Sequence, residues 1–409
     1  MRAVLEPVRR LGLDSFHQGW ADDVDFARKV VRVEANTSDD LASRTRLKQP
    51  AESTGKGATF DVSYDKLVIA VGSYSQTFGI EGVKEFACFL RDIADARKIR
   101  MKVLQTFEKA ALPITTDDER KKLLHFAIVG GGPTGIEYAA ELHDLIKEDL
   151  SKIYPNLMKF VSITVYDVAP KVLPMFDKTL AQYAMDTFMR EGISVKTQHH
   201  LTRIRPDNDC EGCLKLKIKE HGDEEIGAGI VVWSTGLMQN PLIEKLSSKT
   251  FKAPSSASGV LPAVEVQLQK DPGTGGITTD PYLRVNVVQW TTSSESSNGD
   301  THGSPMDDVY AIGDCAVIPG KGLPATAQVA SQKAAHLARR LNKGDVDKKE
   351  FLFRNWGTMT YLGNWTAIHQ SSADELKGWA AWVLWRTAYL TRSMSIRNKI
   401  MVPFYWAIT

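Results

Sequence analysis

The sequence contains few cysteines and no excess of either charge. Four cysteines in 409 residues are too few for the disulfide framework of a small secreted scaffold. The formal net charge of +2 argues against a dedicated nucleic-acid surface, which would carry a basic excess. No run of about 18 apolar residues is present, so no bilayer-spanning helix is predicted. Composition therefore indicates an ordinary globular chain of about two to three domains.

Two of the cysteines, Cys210 and Cys213, form a C-x-x-C pair, a spacing that zinc and redox sites use. No second pair and no nearby histidine couple accompanies them, and an alternating Leu/Lys run follows from Leu214. This pattern favours a hairpin turn, with zinc or redox chemistry as the alternative. No metal site is predicted.

The most informative stretch is residues 125–142, where an apolar run meets glycines and then an amphipathic helix pattern. Gly130, Gly132 and Gly135 have the G-x-G-x-x-G spacing of a dinucleotide fingerprint. The first glycine permits a tight turn, the second lets the backbone approach a pyrophosphate, and the third allows close helix–strand packing. The helix N-terminus then offers free N–H groups to the phosphates. A glycine-rich turn without a ligand is the competing interpretation.

An acidic residue supports the dinucleotide interpretation. Residues 161–166 alternate like a strand and end at Asp167, where a carboxylate is expected to bind a ribose 2′-hydroxyl and to favour NADH over NADPH. The gap from the glycines exceeds the usual spacing of about 20 residues. We assign the excess to a helix that continues from Leu142 to Tyr154.

Further apolar strands also end at small residues. Residues 60–72 finish at Gly72 and residues 229–236 finish at Thr235 and Gly236, which suggests two similar nucleotide domains. Residues 309–314 deliver Asp314 directly after Gly313; this carboxylate can accept hydrogen bonds from a ribityl or ribose hydroxyl, or cap the next helix. Small residues then surround a helix start at Ala327 and Gln328.

The rest of the chain carries weaker signals. Residues 81–112 are predicted to form one helix that Pro113 ends, and residues 178–190 another. Residues 291–305 contain no aliphatic residue before Pro305, so we expect a disordered surface insertion. From Gly378 onward the chain is mostly apolar and rich in aromatic residues, with basic residues at Arg386, Arg392, Arg397 and Lys399. This composition suits a helix lying in an anionic membrane surface, with a dimer interface or a core helix as the alternative.

Together these motifs resemble the type II, non-proton-pumping NADH:ubiquinone oxidoreductases of fungal and plant mitochondria. The resemblance rests on the fingerprint, the strand ends at Gly72 and Gly236, the Tyr310–Ala316 and Ala325–Gln332 stretches, and the carboxy-terminal basic and aromatic segment. It implies an α/β fold with two Rossmann-like dinucleotide-binding domains and a membrane-associating helical segment. It also implies FAD and NADH as cofactors, ubiquinone as acceptor, and a peripheral, monotopic place on the inner mitochondrial membrane. A homodimer through the aromatic tail stays open.

The resemblance also implies roles for individual residues. Glu137 would handle protons near the flavin–nicotinamide contact, and Gln328 and Gln332 would line the flavin and quinone end. The residues expected to bind NADH are Gly130, Gly132, Gly135, Asp167, Thr235 and Gly236, and those expected to bind FAD are Gly72, Gly313, Asp314 and Ala327.

Four segments follow from this interpretation. Residues 1–113 would begin the FAD domain, 114–262 would bind NADH, 263–350 would complete the FAD domain with a flexible insertion at 286–305, and 351–409 would associate with the membrane or a second subunit.

The chain also departs from the family, because residues 1–60 contain no FAD fingerprint. We therefore expect a protein made of only the 409 residues given to bind FAD poorly. The alternatives are a catalytically impaired NAD(H)-binding protein, or a related quinone reductase such as sulfide:quinone reductase, which needs a cysteine pair beside the flavin.

Overall fold

The computed structural model describes residues 8–35, 57–259, 264–290, 303–371, 374–392 and 396–408. The strands within these ranges are β1 Gly19–Asp25, β2 Val30–Ala35, β3 Thr59–Ser63, β4 Leu67–Ile69, β5 Ser73–Ser75, β6 Cys88–Phe89, β7 His125–Val129, β8 Ser162–Tyr166, β9 Ile193–Lys196, β10 Leu201–Pro206, β11 Leu214–Ile218, β12 Glu225–Ala228, β13 Ile230–Trp233, β14 Leu237–Gln239, β15 Thr250–Lys252, β16 Glu265–Leu268, β17 Ile277–Thr278, β18 Arg284–Gln289, β19 Ser304–Ala311, β20 Ala316–Val317, β21 Thr358–Gly363, β22 Thr366–Gln370 and β23 Glu375–Gly378. The α-helices are α1 Val83–Phe86, α2 Ile93–Ala111, α3 Asp117–Leu123, α4 Pro133–Asp144, α5 Ser151–Ile153, α6 Lys178–Arg190, α7 Pro241–Ser247, α8 Ala327–Lys343, α9 Trp379–Arg392 and α10 Ile396–Ile408.

The chain divides into two compact units. Unit 1 consists of residues 1–16, 75–236 and 355–409, and unit 2 consists of residues 17–74 and 237–354.

The centre of unit 1 is a parallel sheet with strand order β6-β13-β7-β8-β9. All five residues of β7 are buried, because helices cover both faces of such a sheet. Helix α2 packs here through Phe107, whose ring stacks on Phe126 of β7 with 6.1 Å between centroids. The Rossmann-like order places the glycine turn after the central strand, where ligands of open α/β sheets bind.

Two antiparallel sheets complete unit 1. Strands β10, β11 and β12 form the first, and Cys210 and Cys213 lie in the turn between β10 and β11, as the hairpin prediction requires. The two cysteines form a disulfide, which the sequence did not predict. Strands β21, β22 and β23 form the second sheet, which packs against α4 and α9.

Unit 2 contains a five-stranded sheet with order β15-β16-β18-β19-β4 and an antiparallel meander β1-β2-β3. Strands β19 and β4 run parallel and precede Gly313 and Gly72, respectively; most of β19 is buried, whereas in β4 only Ile69 is. Helix α8 begins at Ala327 with Thr326 as its N-cap, whose hydroxyl accepts from the Val329 N–H at 3.4 Å.

The structure corrects three predictions about elements. The expected helix over 81–112 is interrupted: α1 ends at Phe86, strand β6 joins the parallel sheet, and α2 begins after Asp92, whose carboxylate caps it. The continuation beyond Leu142 is helical, but Leu145–Leu150 widens into a π-helical segment. The predicted helix 178–190 is confirmed as α6.

The third correction concerns the flexible insertion predicted at 286–305. Its ends belong to strands β18 and β19. Residues 291–302 lie outside the described residues.

The boundaries of the two compact units differ from those of the four predicted segments. Residues 75–113 lie in unit 1 with the glycine turn, because α2 packs on its central sheet, and residues 237–262 lie in unit 2. The carboxy-terminal residues 355–409 are grouped with unit 1.

Candidate functional site

The glycine turn joins β7 to α4 in unit 1. Gly130 has a φ of 117°, a backbone conformation that favours glycine, and a Cβ there would lie 2.9 Å from the Ser234 hydroxyl. A Cβ at Gly135 would collide with the Gly130 carbonyl, so the third glycine lets the helix approach the strand. Gly132 has an ordinary φ of −74° and no atom within 4 Å of its Cβ position. The space beside the Gly132 backbone is therefore open to a ligand.

Asp167 follows β8 and folds back over this turn. One carboxylate oxygen accepts from the Gly131 N–H, and the other accepts from the Ala169 N–H at 2.6 Å. Leu173 N–H also donates to the Gly131 carbonyl at 2.8 Å, which closes the loop onto the turn. A carboxylate offers about four acceptor positions, so a ribose hydroxyl can still bind. Asp167 thus holds the turn in shape, and its predicted contact with the adenosine ribose stays a prediction.

The other side of the glycine turn faces the end of β13. Ser234 hydroxyl donates to the Val129 carbonyl at 3.0 Å, which ties the two strand ends together. Thr235 and Gly236 follow, half-buried, and Gly236 has a φ of 72°. Because β13 and β8 flank β7 in the sheet, Asp167 and Gly236 mark opposite ends of the candidate dinucleotide site.

Glu137 lies on α4, beneath the carboxy-terminal sheet. Its carboxylate accepts from the Tyr361 N–H at 3.2 Å. Burial raises the pKa of Glu137 to about 7, although the Tyr361 N–H and the neighbouring Trp385 side chain act to lower it. A carboxyl group with a pKa near the working pH can take up and release a proton.

A second carboxylate on α4 fixes the same sheet. Asp144 accepts from the Tyr361 hydroxyl at 2.6 Å and from the Asn364 N–H at 3.1 Å. Burial acts to raise the pKa of Asp144, but hydrogen bonds from His143, Tyr361 and Asn364 outweigh it and hold the pKa below its usual value. Asp144 is therefore a charged anchor, in contrast to Glu137 two turns earlier.

The predicted flavin residues of unit 2 form another cluster. Ser73 hydroxyl donates to the Asp314 carboxylate at 3.3 Å, which joins the loop after Gly72 to the loop after Gly313. Gly72 and Gly313 have φ values of 66° and 77°. A Cβ at Gly72 would meet no atom within 4 Å, and one at Gly313 would meet only the Ala330 Cβ at 3.9 Å. The two bare glycines beside a carboxylate fit the ribityl and pyrophosphate part of FAD.

The start of α8 holds three more predicted residues. Ala327 is exposed and Gln328 is half-buried at the first turn of the helix. Gln332 makes two bonds to the backbone of Arg354: its amide donates to the carbonyl at 2.8 Å and accepts from the N–H at 3.0 Å. Gln332 therefore holds the segment that leaves unit 2, in addition to any role toward a ligand.

The described residues contain no group of three or more His, Cys, Asp or Glu side chains that could hold a metal ion. Cys210 and Cys213 are bonded to each other, and Cys88 and Cys315 are buried and form no disulfide.

Comparison with known proteins identifies the family. Residues 11–254 match the family model described as pyridine nucleotide-disulphide oxidoreductase, and residues 356–409 match the NDH2 C-terminal domain. A probable NADH dehydrogenase of Dictyostelium discoideum is 37% identical over 86% of this chain and 68% of its own length. The mitochondrial external NADH-ubiquinone oxidoreductase 2 of Saccharomyces cerevisiae is 31% identical over 99% of this chain and 71% of its own length. This chain belongs to the type II NADH dehydrogenase family.

Solved structures agree with this type II NADH dehydrogenase in fold. The structure of NDH2 from Plasmodium falciparum in complex with NADH has a TM-score of 0.71 and 23% identity, and the match covers 92% of this chain and 80% of that one. The fold class inferred from the sequence is thereby confirmed.

Sequence reasoning missed several contacts of this type II NADH dehydrogenase. It placed Glu137 near the site but gave no sign that Tyr361, 224 residues later, would cover it. It also missed Ser73 beside Asp314, for which the only sequence signal is its place directly after Gly72. The binding roles of the predicted site residues stay predictions.

We expect Tyr361→Phe to lower the free energy of unfolding by about 1–2 kcal/mol, because it removes a hydrogen bond to a half-buried carboxylate. Tyr154→Phe is the matched control: its hydroxyl also donates to a carboxylate at 2.6 Å, but the acceptor Glu108 is exposed. The control should cost about 0.5 kcal/mol or less. Urea unfolding of both variants measures the difference, and equal losses would contradict the anchoring role of Asp144.

Proposed function

We propose that this chain oxidises NADH with FAD as cofactor and reduces ubiquinone by two electrons, without pumping protons. The observation that supports this proposal is that one chain contains two candidate nucleotide sites, each built from glycines beside a carboxylate. Unit 1 holds the glycine turn with Asp167, and unit 2 holds the bare glycines with Asp314. FAD and NADH are the cofactors of the family to which the chain belongs. The relatives' names supply the quinone acceptor.

In this proposal the protein binds NADH and FAD, orients them and shields them from solvent. Gly130, Gly132 and Gly135 hold the pyrophosphate of NADH at the start of α4. Thr235 and Gly236 border its nicotinamide half. On the flavin side Gly72, Gly313 and Asp314 hold the ribityl and pyrophosphate part, with Ala327 and Gln328 near the ring. FAD, when bound, supplies the two-electron carrier between donor and acceptor.

Glu137 suits the proton balance of this reaction. Reduction of ubiquinone by NADH consumes one proton, since NADH supplies a hydride and the quinol carries two hydrogens. A carboxyl group whose pKa is raised to about 7 by burial can pass that proton on near neutral pH.

We further propose that the carboxy-terminal helices rest on the inner mitochondrial membrane. Among the described residues, no helix has the length and hydropathy needed to cross a bilayer. Helices α9 and α10 nevertheless expose large apolar side chains, namely Trp379, Val383, Leu384, Tyr389, Ile396, Ile400 and Phe404. Arg386 and Arg397 add positive charge among them. This combination suits binding in the headgroup region, and the mitochondrial relatives support the location.

The activity test uses the full chain, purified and supplied with FAD and a soluble ubiquinone analogue. We expect one NADH to be oxidised per quinol formed. In sealed vesicles, we expect the pH change to match the single proton that the chemistry consumes, with no transfer across the membrane. Reduction of quinone by sulfide but not by NADH would replace this proposal with the sulfide:quinone reductase alternative. Cys210 and Cys213 lie in the turn between β10 and β11 of unit 1, and the predicted flavin residues belong to unit 2, so the position of this cysteine pair argues against that outcome.

A further inference from the structure

Phe78 is an exposed aromatic residue with an unusual backbone. Its side chain is 60% exposed, although aromatic rings normally contribute to a core. Its φ of 53° lies in the left-handed region, which residues other than glycine, asparagine and aspartate rarely adopt. Such conformations cost free energy, and strained residues cluster at active sites and ligand clamps.

The ring of Phe78 lies against the carboxyl end of β13. A Cβ at Gly236 would lie 2.8 Å from two ring carbons of Phe78, so only glycine lets the ring come this close to the backbone. The ring centroid is 6.4 Å from that of Trp233, the last residue of β13.

The backbone beside Phe78 is firmly attached to the same strand end. Gln76 N–H donates to the Gly236 carbonyl at 3.2 Å, and the Trp233 indole donates to the Gln76 carbonyl at 2.9 Å. These bonds fix where Phe78 stands while its ring stays exposed.

The sheet order indicates which part of a dinucleotide reaches this ring. Asp167 after β8 marks the adenosine end, and the glycine turn after β7 marks the pyrophosphate. Neighbouring strands lie about 4.8 Å apart, so the ends of β8 and β13 are about 10 Å apart, a span that one dinucleotide covers. A molecule that runs from Asp167 across the glycine turn therefore brings its second half to Gly236 and Phe78.

We propose that Phe78 is a positioning residue that packs against the nicotinamide–ribose half of NADH. The inference rests on the proposed function in taking NADH as the ligand. The flat ring and its fixed backbone give the nicotinamide half an apolar surface, so that its orientation does not depend on the pyrophosphate contacts alone.

ADP-ribose separates this role from a structural one, because it shares the adenosine, pyrophosphate and second ribose of NADH but lacks nicotinamide. With the purified full chain, we expect Phe78→Ala to weaken NADH binding by about 5- to 10-fold and to change ADP-ribose binding by less than about 2-fold. Phe78→Tyr should restore NADH affinity. Ile114→Ala is the control, since Ile114 is another exposed apolar residue of unit 1, at 84% exposure. It should change neither affinity.

Calorimetric titration and thermal unfolding give the decisive readouts. Equal losses for NADH and ADP-ribose together with a lower unfolding temperature would show that Phe78 acts on the fold and would overturn the proposal, as would an unchanged NADH affinity. Failure of the proposed function can be distinguished from failure of the positioning role of Phe78. NADH binding without quinone reduction would contradict the activity, and the Phe78 comparison would still decide the positioning role. A wild-type chain that binds neither ligand would overturn both.

Discussion

Gly132→Val should abolish useful NADH binding without weakening the fold. The backbone of Gly132 is extended, and no protein atom lies within 4 Å of its Cβ position, so a side chain there starts in open space. The same side chain would occupy the space through which the pyrophosphate approaches the backbone. We expect NADH affinity to fall about 100-fold or more, or about 2.7 kcal/mol.

Two further glycine variants make this result interpretable. Gly135→Ala places a Cβ against the Gly130 carbonyl and 2.6 Å from the Ser234 hydroxyl, so it should lower both the unfolding temperature and the affinity. Gly273→Val is the matched neutral change: its Cβ position meets only Asp271, at 3.5 Å, and it should alter neither. Calorimetric titration with NADH and thermal unfolding measure both properties. Wild-type affinity in Gly132→Val would place the dinucleotide elsewhere.

Glu137→Gln should stabilise the chain at alkaline pH and not at acidic pH. Burial raises the pKa of Glu137 from 4.5 to about 7, so the folded state favours the protonated form. Above pH 7 the folded chain must hold a buried charge, which costs up to about 3 kcal/mol for a shift of this size. This cost shrinks as the pH falls from 7 toward 4.5 and then vanishes, because folded and unfolded forms are both protonated. Glutamine removes the charge and with it the cost.

Urea unfolding at pH 8 and pH 5 checks the sign. The gain of Glu137→Gln should be largest at pH 8, whereas Asp149→Asn, an exposed carboxylate of the same helical segment, should give about 0.5 kcal/mol or less at either pH. An equal gain at both pH values would contradict the raised pKa. In the quinone assay, the same variant should lower turnover and flatten its dependence on pH near 7, since glutamine carries no exchangeable acid. Unchanged turnover would remove Glu137 from proton handling.

The features that the sequence predicted well are local ones. The glycine turn lies within six residues, and its spacing alone requires a strand before it and a helix after it. The strand β13 before Gly236 is likewise visible as an apolar run, because a strand covered on both faces is apolar throughout. These short patterns, in their order along the chain, were enough to predict the α/β fold and the family.

Long-range packing decided what the sequence could not. The carboxy-terminal residues 355–409 pack into unit 1, because Tyr361 donates hydrogen bonds to Glu137 and Asp144 on α4. The pKa of Glu137 is raised because burial dominates there, and the pKa of Asp144 is lowered because its hydrogen bonds outweigh burial, although both residues lie on one helix. Residues 75–113 were predicted to belong to the FAD domain, but they are grouped with unit 1, where α2 packs on the central sheet through Phe107.

The tertiary structure also changed the meaning of single residues. Asp167 was predicted from its spacing as a ribose ligand, and the fold adds that it holds the Gly131 N–H. Phe78 carries no motif, and only its contact with Gly236 reveals a role. The sequence by itself thus determined where the glycine turns of the predicted nucleotide sites lie, because such fingerprints depend on neighbouring backbone. The tertiary structure alone decided which distant side chains surround those sites, because burial and hydrogen bonding depend on contacts between residues far apart in the chain.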